Sequence, residues 1–598
     1  MYITGYAPYG ADGILVRVET DIRRGIPGID ISGLAEGAVR EARERVRAAF
    51  RNTGLAFPLD RILINLAPAG VKKDGAALDL PIALSVMAAA GLIPGLSALP
   101  EQLMVLGELE LSGRVRPVRG VLAAAARGLE EGIRFFIVPR ENGEEAAVLL
   151  GKTGPREQPG PIGQPGRAQY CAVSSLDEAA HVLVLLSTEG AFPGPFRTGS
   201  RRCAAADSGA RTDGAALDGM AADEAAGDGM ATDEAGDFAD VRGQGRYKRA
   251  LEIAAAGGHN LLVFGAPGAG KTMLARRLPS IMAPLTPEES VEAARIRSLA
   301  GRLADGAFGR SFSLITRPPF RAPHHSASAE GILGGGRTVQ PGEISLAHLG
   351  VLFLDEAPEF KSNVLQALRE PLEDRFLTIV RAEGPVRLPA DFQLVMAANS
   401  CPCGRLGTGG CYCSPEETYR YWRKFGGALL DRIEIRVPVD GTNGDLYTAP
   451  AKSAEGTGSP AGAPRGESSA VVRGRVIRAV EIQRRRFGSG SEFGPGSGFG
   501  PARKGQMPCR RNARMNPAQI EAHCALGGEA GRVFHRAAEK LGLSGRACHG
   551  VLKTARTIAD LEGREAIETP HLLEAIQHRR TGDDPYDVLS LAGDRSYL

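Results

Sequence analysis

The stretch NLLVFGAPGAGKTMLARRL at residues 260–278 decides the fold, because an apolar strand runs into a glycine-rich loop and then into a helix. Within it, GAPGAGKT has the spacing of a phosphate-binding loop, whose backbone N–H groups wrap a phosphate chain at a helix N-terminus. Lys271 is placed to reach the outer phosphates, and Thr272 to hold Mg²⁺. The pattern predicts that ATP or GTP binds at eight consecutive residues: Gly265, Ala266, Pro267, Gly268, Ala269, Gly270, Lys271 and Thr272.

The stretch GVLFLDE at 350–356 supplies the second half of such a site. It is a short apolar strand with two carboxylates at its end. A core strand that merely ends in an acidic turn has the same pattern, but the intact phosphate loop favours a functional interpretation. We therefore expect Asp355 to assist Mg²⁺ and Glu356 to polarise the attacking water, which makes the chain a nucleoside triphosphatase.

Three further residues stand where ring-forming ATPases complete the site. Asn399 ends the apolar run FQLVMAANS and can position the attacking water. Arg432, in LLDRIEI, can reach into the site of a neighbouring subunit. Arg546, at the start of the helical run from 543 to 563, can contact the γ-phosphate from a lid. Each is common alone, but together and in this order they predict catalytic roles for Glu356, Asn399, Arg432 and Arg546.

The alternation of apolar strands and helices between residues 238 and 440 predicts an α/β fold. The N-terminal segment mixes β-rich and helical runs, whereas the C-terminal segment reads as helical. We divide the 598 residues as follows: an N-terminal α+β domain at 1–186, an acidic disordered linker at 187–237, the nucleotide-binding core at 238–440, a lid segment with flexible Gly/Pro-rich insertions at 441–513, and a C-terminal helical lid domain at 514–598.

Charge and composition exclude several classes of protein. The net charge of +3 combines −9 between residues 204 and 240, where ten acidic residues face one arginine, with +12 elsewhere. The acidic segment is rich in Asp, Ala and Gly and cannot bury enough apolar surface to fold, so we expect it to be disordered. The basic remainder is compatible with a polyanionic partner. Nine cysteines, an odd number, argue against a secreted disulfide framework.

One stretch, Leu80 to Pro100, is uncharged and long enough to span a bilayer. Three prolines interrupt it, so it predicts a buried, alanine-rich helix rather than a membrane span. The N-terminal sequence MYITGYAPYGADG lacks the basic and apolar regions of a signal peptide. We expect a cytoplasmic protein that makes no membrane contact.

Several motifs closely resemble the ComM/YifB family, the magnesium-chelatase-like branch of the AAA+ ATPases. Beyond the phosphate loop and LLDRIEI, the matching stretches are DFADVRGQ (237–244), PFRAPHHSAS (319–328), PGEISLAHLGVLFLDE (341–356), ALREPLED (367–374) and NSCPCG (399–404). The resemblance implies ATP and Mg²⁺ as cofactors, Asn399 and Arg546 as sensors, and Arg432 as an arginine finger. It also implies a hexameric ring and a helical lid displaced along the chain.

The first segment resembles the proteolytic domain of Lon proteases in GELELSGRVRPVRG (107–120) and FFIVPREN (135–142). Lon carries its nucleophile in a Lys-Asp-Gly-Pro-Ser sequence, but here Lys73, Asp74 and Gly75 are followed by two alanines. The activating lysine is also missing after PVRG. Without a hydroxyl and its base there is no acyl-enzyme chemistry, so we expect a degenerate domain without protease activity.

Four cysteines stand close together in CPCGRLGTGGCYC, just after Asn399. Four thiolates can surround one tetrahedral Zn²⁺, although the CxC spacing is less specific than CxxC. Thiols without a metal are the alternative. The candidate ligands are Cys401, Cys403, Cys411 and Cys413.

The resemblance favours DNA as the partner, because ComM proteins are DNA-binding helicases that promote branch migration during natural transformation. A hairpin at 376–389 and an insert around PFRAP offer arginines for salt-sensitive backbone contacts. The basic helix at 471–487 offers a further surface, and a solvated face of the lid is the alternative for it. The alternatives are a protein-remodelling ATPase that recruits clients through the Lon-like domain, and a chelatase-type metal-insertion ATPase. The candidate contacts to single-stranded or branched DNA are Arg317, Arg321, Arg337, Arg381 and Arg387.

Overall fold

The computed structural model describes residues 2–11, 13–33, 37–70, 73, 75–94, 96, 99–150, 168–189, 192, 236–301, 314–336, 339–381, 384–406, 410–439, 466–488 and 509–579. Most of the acidic linker, Arg337 and nearly all of the predicted Gly/Pro-rich insertions lie outside these residues. The chain divides into two compact units. One is built from the N-terminal sheet and its helices, and the other from the phosphate-loop sheet and the helices that follow it.

A seven-stranded mixed sheet organises the first unit, in the order β3-β4-β2-β1-β5-β8-β9. Alternation places Ile62, Ile64 and Leu66 of β4 in the core. Its strands are β1 (Tyr2–Ala7), β2 (Ile14–Arg23), β3 (Gly28–Ser32), β4 (Arg61–Ala67), β5 (Leu103–Val105), β8 (Phe135–Pro139) and β9 (Gln169–Val173), and a separate pair is β6 (Glu108–Leu109) and β7 (Val115–Arg116).

Five helices accompany this sheet. They are α1 (Gly37–Asn52), α2 (Asp79–Ala89), α3 (Val121–Glu130), α4 (Gly143–Leu150) and α5 (Leu176–Glu189). The helix α2 is buried from its first residue to Met87, which confirms the prediction of a buried helix in the uncharged stretch. Among the described residues, no helix combines the length and the apolar character needed to cross a membrane.

The second unit contains a five-stranded parallel sheet in the order β11-β14-β17-β10-β18. Apolar side chains fill both faces, as is usual for parallel strands covered by helices. The phosphate-loop strand β10 lies between β17 and β18, and Gly265 at its end is paired with Asn399. The strands are β10 (Leu261–Gly265), β11 (Phe320–Arg321), β14 (Val351–Leu354), β17 (Gln393–Asn399) and β18 (Ile435–Val439).

Two small antiparallel pairs and ten α-helices accompany this sheet in the described residues between 236 and 439. The pairs are β12 (Gly334–Gly335) with β13 (Gln340–Pro341), and β15 (Phe376–Arg381) with β16 (Gly384–Pro389); the second confirms the predicted hairpin. The helices are α6 (Gly245–Gly257), α7 (Lys271–Ala275), α8 (Leu278–Ile281), α9 (Pro287–Leu299), α10 (Ala329–Leu333), α11 (Glu343–Leu346), α12 (Ser362–Ala367), α13 (Arg369–Asp374), α14 (Pro415–Arg423) and α15 (Gly427–Leu430).

The C-terminal helices share one hydrophobic core with this sheet. Val476 of α16 and Ile558 of α19 belong to the same buried cluster as Val263 of β10. The first of these helices lies in the predicted lid segment and the others in the predicted lid domain, and the structure groups all of them with the phosphate-loop sheet in one compact unit. They are α16 (Ser469–Arg486), α17 (Pro517–His523), α18 (Gly528–Lys540), α19 (Gly545–Leu561) and α20 (Thr569–Arg579).

A buried hydrogen bond joins the two parts of this core. The Nε2 atom of His259, just before β10, lies 2.7 Å from the hydroxyl of Thr557 on α19. Burial lowers the pKa of His259 to about 3, because the charged imidazolium would lose its hydration there. The folded protein therefore binds a proton at this histidine much more weakly than the unfolded chain does.

Replacing His259 with Gln should reduce the acid sensitivity of the second unit. A histidine of lowered pKa contributes its full stability above the unfolded value of about 6.5 and loses about 1.4 kcal/mol for each pH unit below it. We expect the urea midpoint of the wild type to fall more than that of the variant between pH 7.5 and pH 5. Fluorescence of Trp422, the single tryptophan, reports on this unit. The exposed His535→Gln is the control, and equal pH dependence in all three proteins would contradict the assignment.

Candidate functional site

The phosphate loop connects the end of β10 to the start of α7. Gly268 and Gly270 have φ angles of +75° and +81°, a region that favours glycine. The ammonium of Lys271 donates to the carbonyls of Gly265 and Ala266, both at 2.8 Å, and to Asn399 Oδ1 at 3.1 Å. The structure thus brings the predicted phosphate-binding lysine and the predicted sensor into direct contact.

The charge of Lys271 is set by two opposing effects. Burial lowers its pKa, and the carboxylates of Asp355 and Glu356 act in the opposite direction. The lysine and these two acids lie at the carboxyl edge of the sheet, where ligands bind in open α/β folds. The positive charge of Lys271 would attract an anionic phosphate chain bound at this edge.

The two predicted magnesium ligands lie side by side. Thr272 Oγ1 donates to Asp355 Oδ2 at 2.8 Å. A hydroxyl oxygen and a carboxylate oxygen therefore lie next to each other at the end of β14. Mg²⁺ prefers a few protein oxygens of this type together with phosphate oxygens and water. The donor set therefore fits the ion that the sequence implies.

Glu356 follows Asp355 in a left-handed backbone conformation, with a φ angle of +49°. Its N–H donates to Asp355 Oδ1 at 3.0 Å, and its side chain is 58% exposed. Nδ1 of His325 lies 3.7 Å from Glu356 Oε2. His325 belongs to the matched stretch PFRAPHHSAS, and the structure sets it beside the predicted water-polarising carboxylate.

Arg432 and Arg546 converge on one carboxylate within the chain. Arg432, which follows α15, donates through Nη2 to Glu373 of α13. Arg546, in the first turn of α19, donates to the other oxygen of Glu373 at 2.5 Å. The hydrogen bond from Arg432 is the main reason why the pKa of Glu373 lies below its usual value. The predicted finger and the predicted second sensor are thus neighbours, although they come from distant parts of the sequence.

The four candidate cysteines also come together. Their Sγ atoms all lie within 4.8 Å of one another. All four are free thiols, and Cys401 is the buried member. The loop that carries them packs on the phosphate loop, because a Cβ added at Gly404 would lie 2.5 Å from Pro267 Cγ.

The candidate DNA contacts differ in their surroundings. Arg317 and Arg387 are exposed, and Arg387 lies over the ring of Phe376 at 4.9 Å. Arg381 donates to the carbonyl of Gly336 at 2.7 Å. Arg321 forms a two-point ion pair with Glu343, at 2.6 and 3.0 Å, so its guanidinium is already engaged within the chain.

Three family models match the chain in order. They are described as subunit ChlI of Mg-chelatase (residues 18–142), magnesium chelatase subunit ChlI (237–446) and the C-terminal part of that subunit (466–579). Competence protein ComM of Haemophilus influenzae is 36% identical over 573 residues, 96% of each chain. YifB of Salmonella typhimurium is 37% identical over the same shares. The chain belongs to the ComM/YifB family. It is a magnesium-chelatase-like member of the AAA+ ATPases.

The Lon resemblance of the first unit is also confirmed. A Lon protease of Salinispora arenicola is 30% identical over 146 residues, which are 23% of this chain and 18% of that protein. Lys73 is buried, and its ammonium donates to the carbonyl of Gly33 at 2.7 Å and to that of Pro68. Ala76 and Ala77, at the positions after Gly75, open a short helical turn that leads into α2.

Sequence reasoning missed three residues of this site. Glu373 was part of a matched family motif but received no role, because its partners lie 59 and 173 positions away. His325 also stood in a matched family motif and received no catalytic role. Gly404 has a φ angle of +75° and faces Pro267, which only the folded loop reveals.

Replacing Gly404 with Ala should weaken nucleotide binding. A Cβ at this left-handed position strains the backbone by about 1–2 kcal/mol and presses on Pro267 of the phosphate loop. We expect the affinity for a fluorescent ADP analogue, measured by titration, to fall about tenfold. Gly410→Ala is the matched control in the same loop, because its nearest neighbour would lie 3.8 Å away. Equal affinities in the two variants would refute the contact.

Proposed function

We propose that the protein is an ATP-driven hexameric ring motor that acts on DNA as a branch-migration helicase in recombination or natural transformation. The observation that carries the proposal is the contact of Lys271 with Asn399 and of Thr272 with Asp355 at one sheet edge, in a chain that is 36% identical to a competence protein over 96% of its length. The name of that relative supports a role in DNA processing. The geometry of the site supports the use of ATP and Mg²⁺.

In this proposal different residues of one chain have different roles in hydrolysis. The phosphate loop and Lys271 hold the phosphate chain, and Thr272 and Asp355 hold Mg²⁺, which neutralises charge on the phosphates when bound. Glu356 takes a proton from the attacking water, and Asn399 orients that water. The contact of Asn399 Oδ1 with Lys271 supports its role, since it places the amide beside the group that binds the outer phosphates.

Arg432 acts on the nucleotide of a neighbouring subunit, and this role requires an oligomer. A trans-acting arginine stabilises the charge of the transferring phosphoryl group and can account for a large part of the rate. Its pairing with Glu373 supports the role, because the ion pair holds a long side chain in one orientation. Glu373 is then a positioning residue for both Arg432 and Arg546.

DNA binds at the β15–β16 hairpin in this proposal. Arg387 is exposed there. The alternative surface, the basic end of α16, offers less free charge, because Arg484 donates to Glu289 at 3.4 Å and Arg486 to Asp560 at 2.8 Å. Arginine contacts at the hairpin bind the phosphate backbone without regard to the DNA sequence, which suits a translocating motor.

DNA should stimulate ATP turnover by the full chain. We expect steady-state hydrolysis to rise with single-stranded or branched DNA and the stimulation to fade as salt increases, since phosphate contacts release counterions. Glu356→Gln should reduce turnover below about a hundredth of the wild-type rate, because it removes the general base. Arg387→Gln should lower the stimulation, and Arg485→Gln on α16 is the matched control.

Hydrolysis that is indifferent to every DNA would refute the motor proposal. Stimulation by unfolded polypeptide would then favour protein remodelling, and stimulation only by partner subunits would favour a chelatase role. Loss of DNA stimulation in Arg485→Gln but not in Arg387→Gln would move the DNA surface to α16.

Replacing Glu373 with Gln should lower kcat about tenfold, equivalent to about 1.4 kcal/mol, and leave the KM for ATP unchanged. The amide cannot hold two guanidinium groups by charge, so both arginines lose their orientation. The unfolding free energy should change by less than about 1 kcal/mol, since the Glu373 side chain is half exposed. Glu370→Gln, an exposed glutamate on the same helix, is the control. A rise in KM with unchanged kcat would contradict the positioning role.

A further inference from the structure

The four-cysteine cluster has the geometry of a single metal site. Cys401 Sγ lies 3.4 Å from Cys403 Sγ and 3.7 Å from Cys411 Sγ, and the third side of this triangle, between Cys403 and Cys411, measures 3.6 Å. The Cys413 sulfur accepts from the N–H of Cys403 at 3.4 Å. Four sulfurs at about 2.3 Å from a tetrahedral Zn²⁺ are about 3.8 Å from one another, close to these separations.

Other arrangements of four thiols fit the cluster less well. A disulfide joins two sulfurs at about 2.05 Å and leaves the remaining sulfurs outside the bond, but here three thiols are almost equally spaced. Cysteines that serve only as small apolar groups are normally buried, whereas Cys403, Cys411 and Cys413 are partly exposed. A tetrahedral set of four sulfurs is typical of zinc or iron.

We propose that Cys401, Cys403, Cys411 and Cys413 bind one structural Zn²⁺ that braces the phosphate loop. Cys401 lies two residues beyond Asn399, at the end of β17. Gly404, directly after Cys403 of the first CxC pair, packs on Pro267. The ion thereby links the end of β17, which carries the predicted sensor Asn399, to the loop that contacts the phosphates.

The second arm of the cluster is fixed by a helix. Ser414, directly after Cys413, caps α14 by accepting from the N–H of Glu417 at 3.2 Å. The indole of Trp422, in the last turn of α14, donates to the carbonyl of Ser400 at 3.0 Å. Both arms are thus anchored independently of any metal, which gives the ion a preformed site.

Metal analysis of the full chain tests the site without reference to its activity. We expect about one zinc per chain after purification in metal-free buffer, and X-ray absorption should show four sulfur neighbours at about 2.3 Å. The double variant Cys411→Ser/Cys413→Ser, which alters only partly exposed thiols, should lose the zinc. Cys548→Ser, at a partly exposed cysteine on α19, is the matched control and should retain it.

Three results would overturn the zinc site. They are a wild-type chain without zinc, a zinc content that the double variant retains, and iron in place of zinc. The X-ray absorption spectrum and the zinc stoichiometry are measured on the wild type. These two measurements therefore test the proposal regardless of whether the double variant folds.

The bracing role rests on the proposed nucleotide site and is measured separately. We expect the affinity for a fluorescent ADP analogue to fall about tenfold in the double variant and to stay unchanged in Cys548→Ser. If zinc is lost while nucleotide affinity is unchanged, the ion binds as proposed and does not brace the loop. If zinc is present but the wild type binds no nucleotide, the proposed function fails and the metal site stands.

Discussion

The candidate site depends on the pairing of β10 with strands on both sides. At the end of β10, Gly265 pairs with Asn399 of β17 and with Val439 of β18. A Cβ on Gly265 would lie 2.1 Å from the carbonyl oxygen of Val439, so glycine alone permits this approach. The close pairing brings the end of β17 level with the start of the phosphate loop. The contact between Lys271 and Asn399 follows from that alignment.

The charges of the site are balanced in successive layers. Lys271 faces the two carboxylates that follow β14, and Asp355 is in turn held by the hydroxyl of Thr272. Farther out, one carboxylate on α13 is shared by two arginines. Each cation therefore has an anionic partner within the chain, and binding of a polyphosphate would exchange some of these partners for phosphate oxygens. Such an exchange costs less than creating new charge contacts in an unprepared pocket, because the donors are already oriented.

The sequence predicted the central part of the site because its residues follow strands. A parallel sheet brings the carboxyl ends of its strands to one edge, so Lys271, Asp355 and Asn399 could be assigned from motifs alone. Contacts between loops could not be assigned in this way, since neither periodicity nor spacing encodes that Gly404 meets Pro267 or that His325 meets Glu356. The packing of the C-terminal helices on the sheet could not be assigned either, because apolar residues of α16 and α19 look the same whether they pack on each other or on the sheet.

The position of Glu373 has a mechanical consequence. It stands at the end of α13, three residues before Phe376, where β15 begins. Arg375 between them has a φ angle of +61° and directs the chain from the helix into the hairpin. The carboxylate that holds both arginines is thus joined to the first residue of the hairpin by only two residues, so Glu373 and Phe376 can separate by no more than this short segment allows.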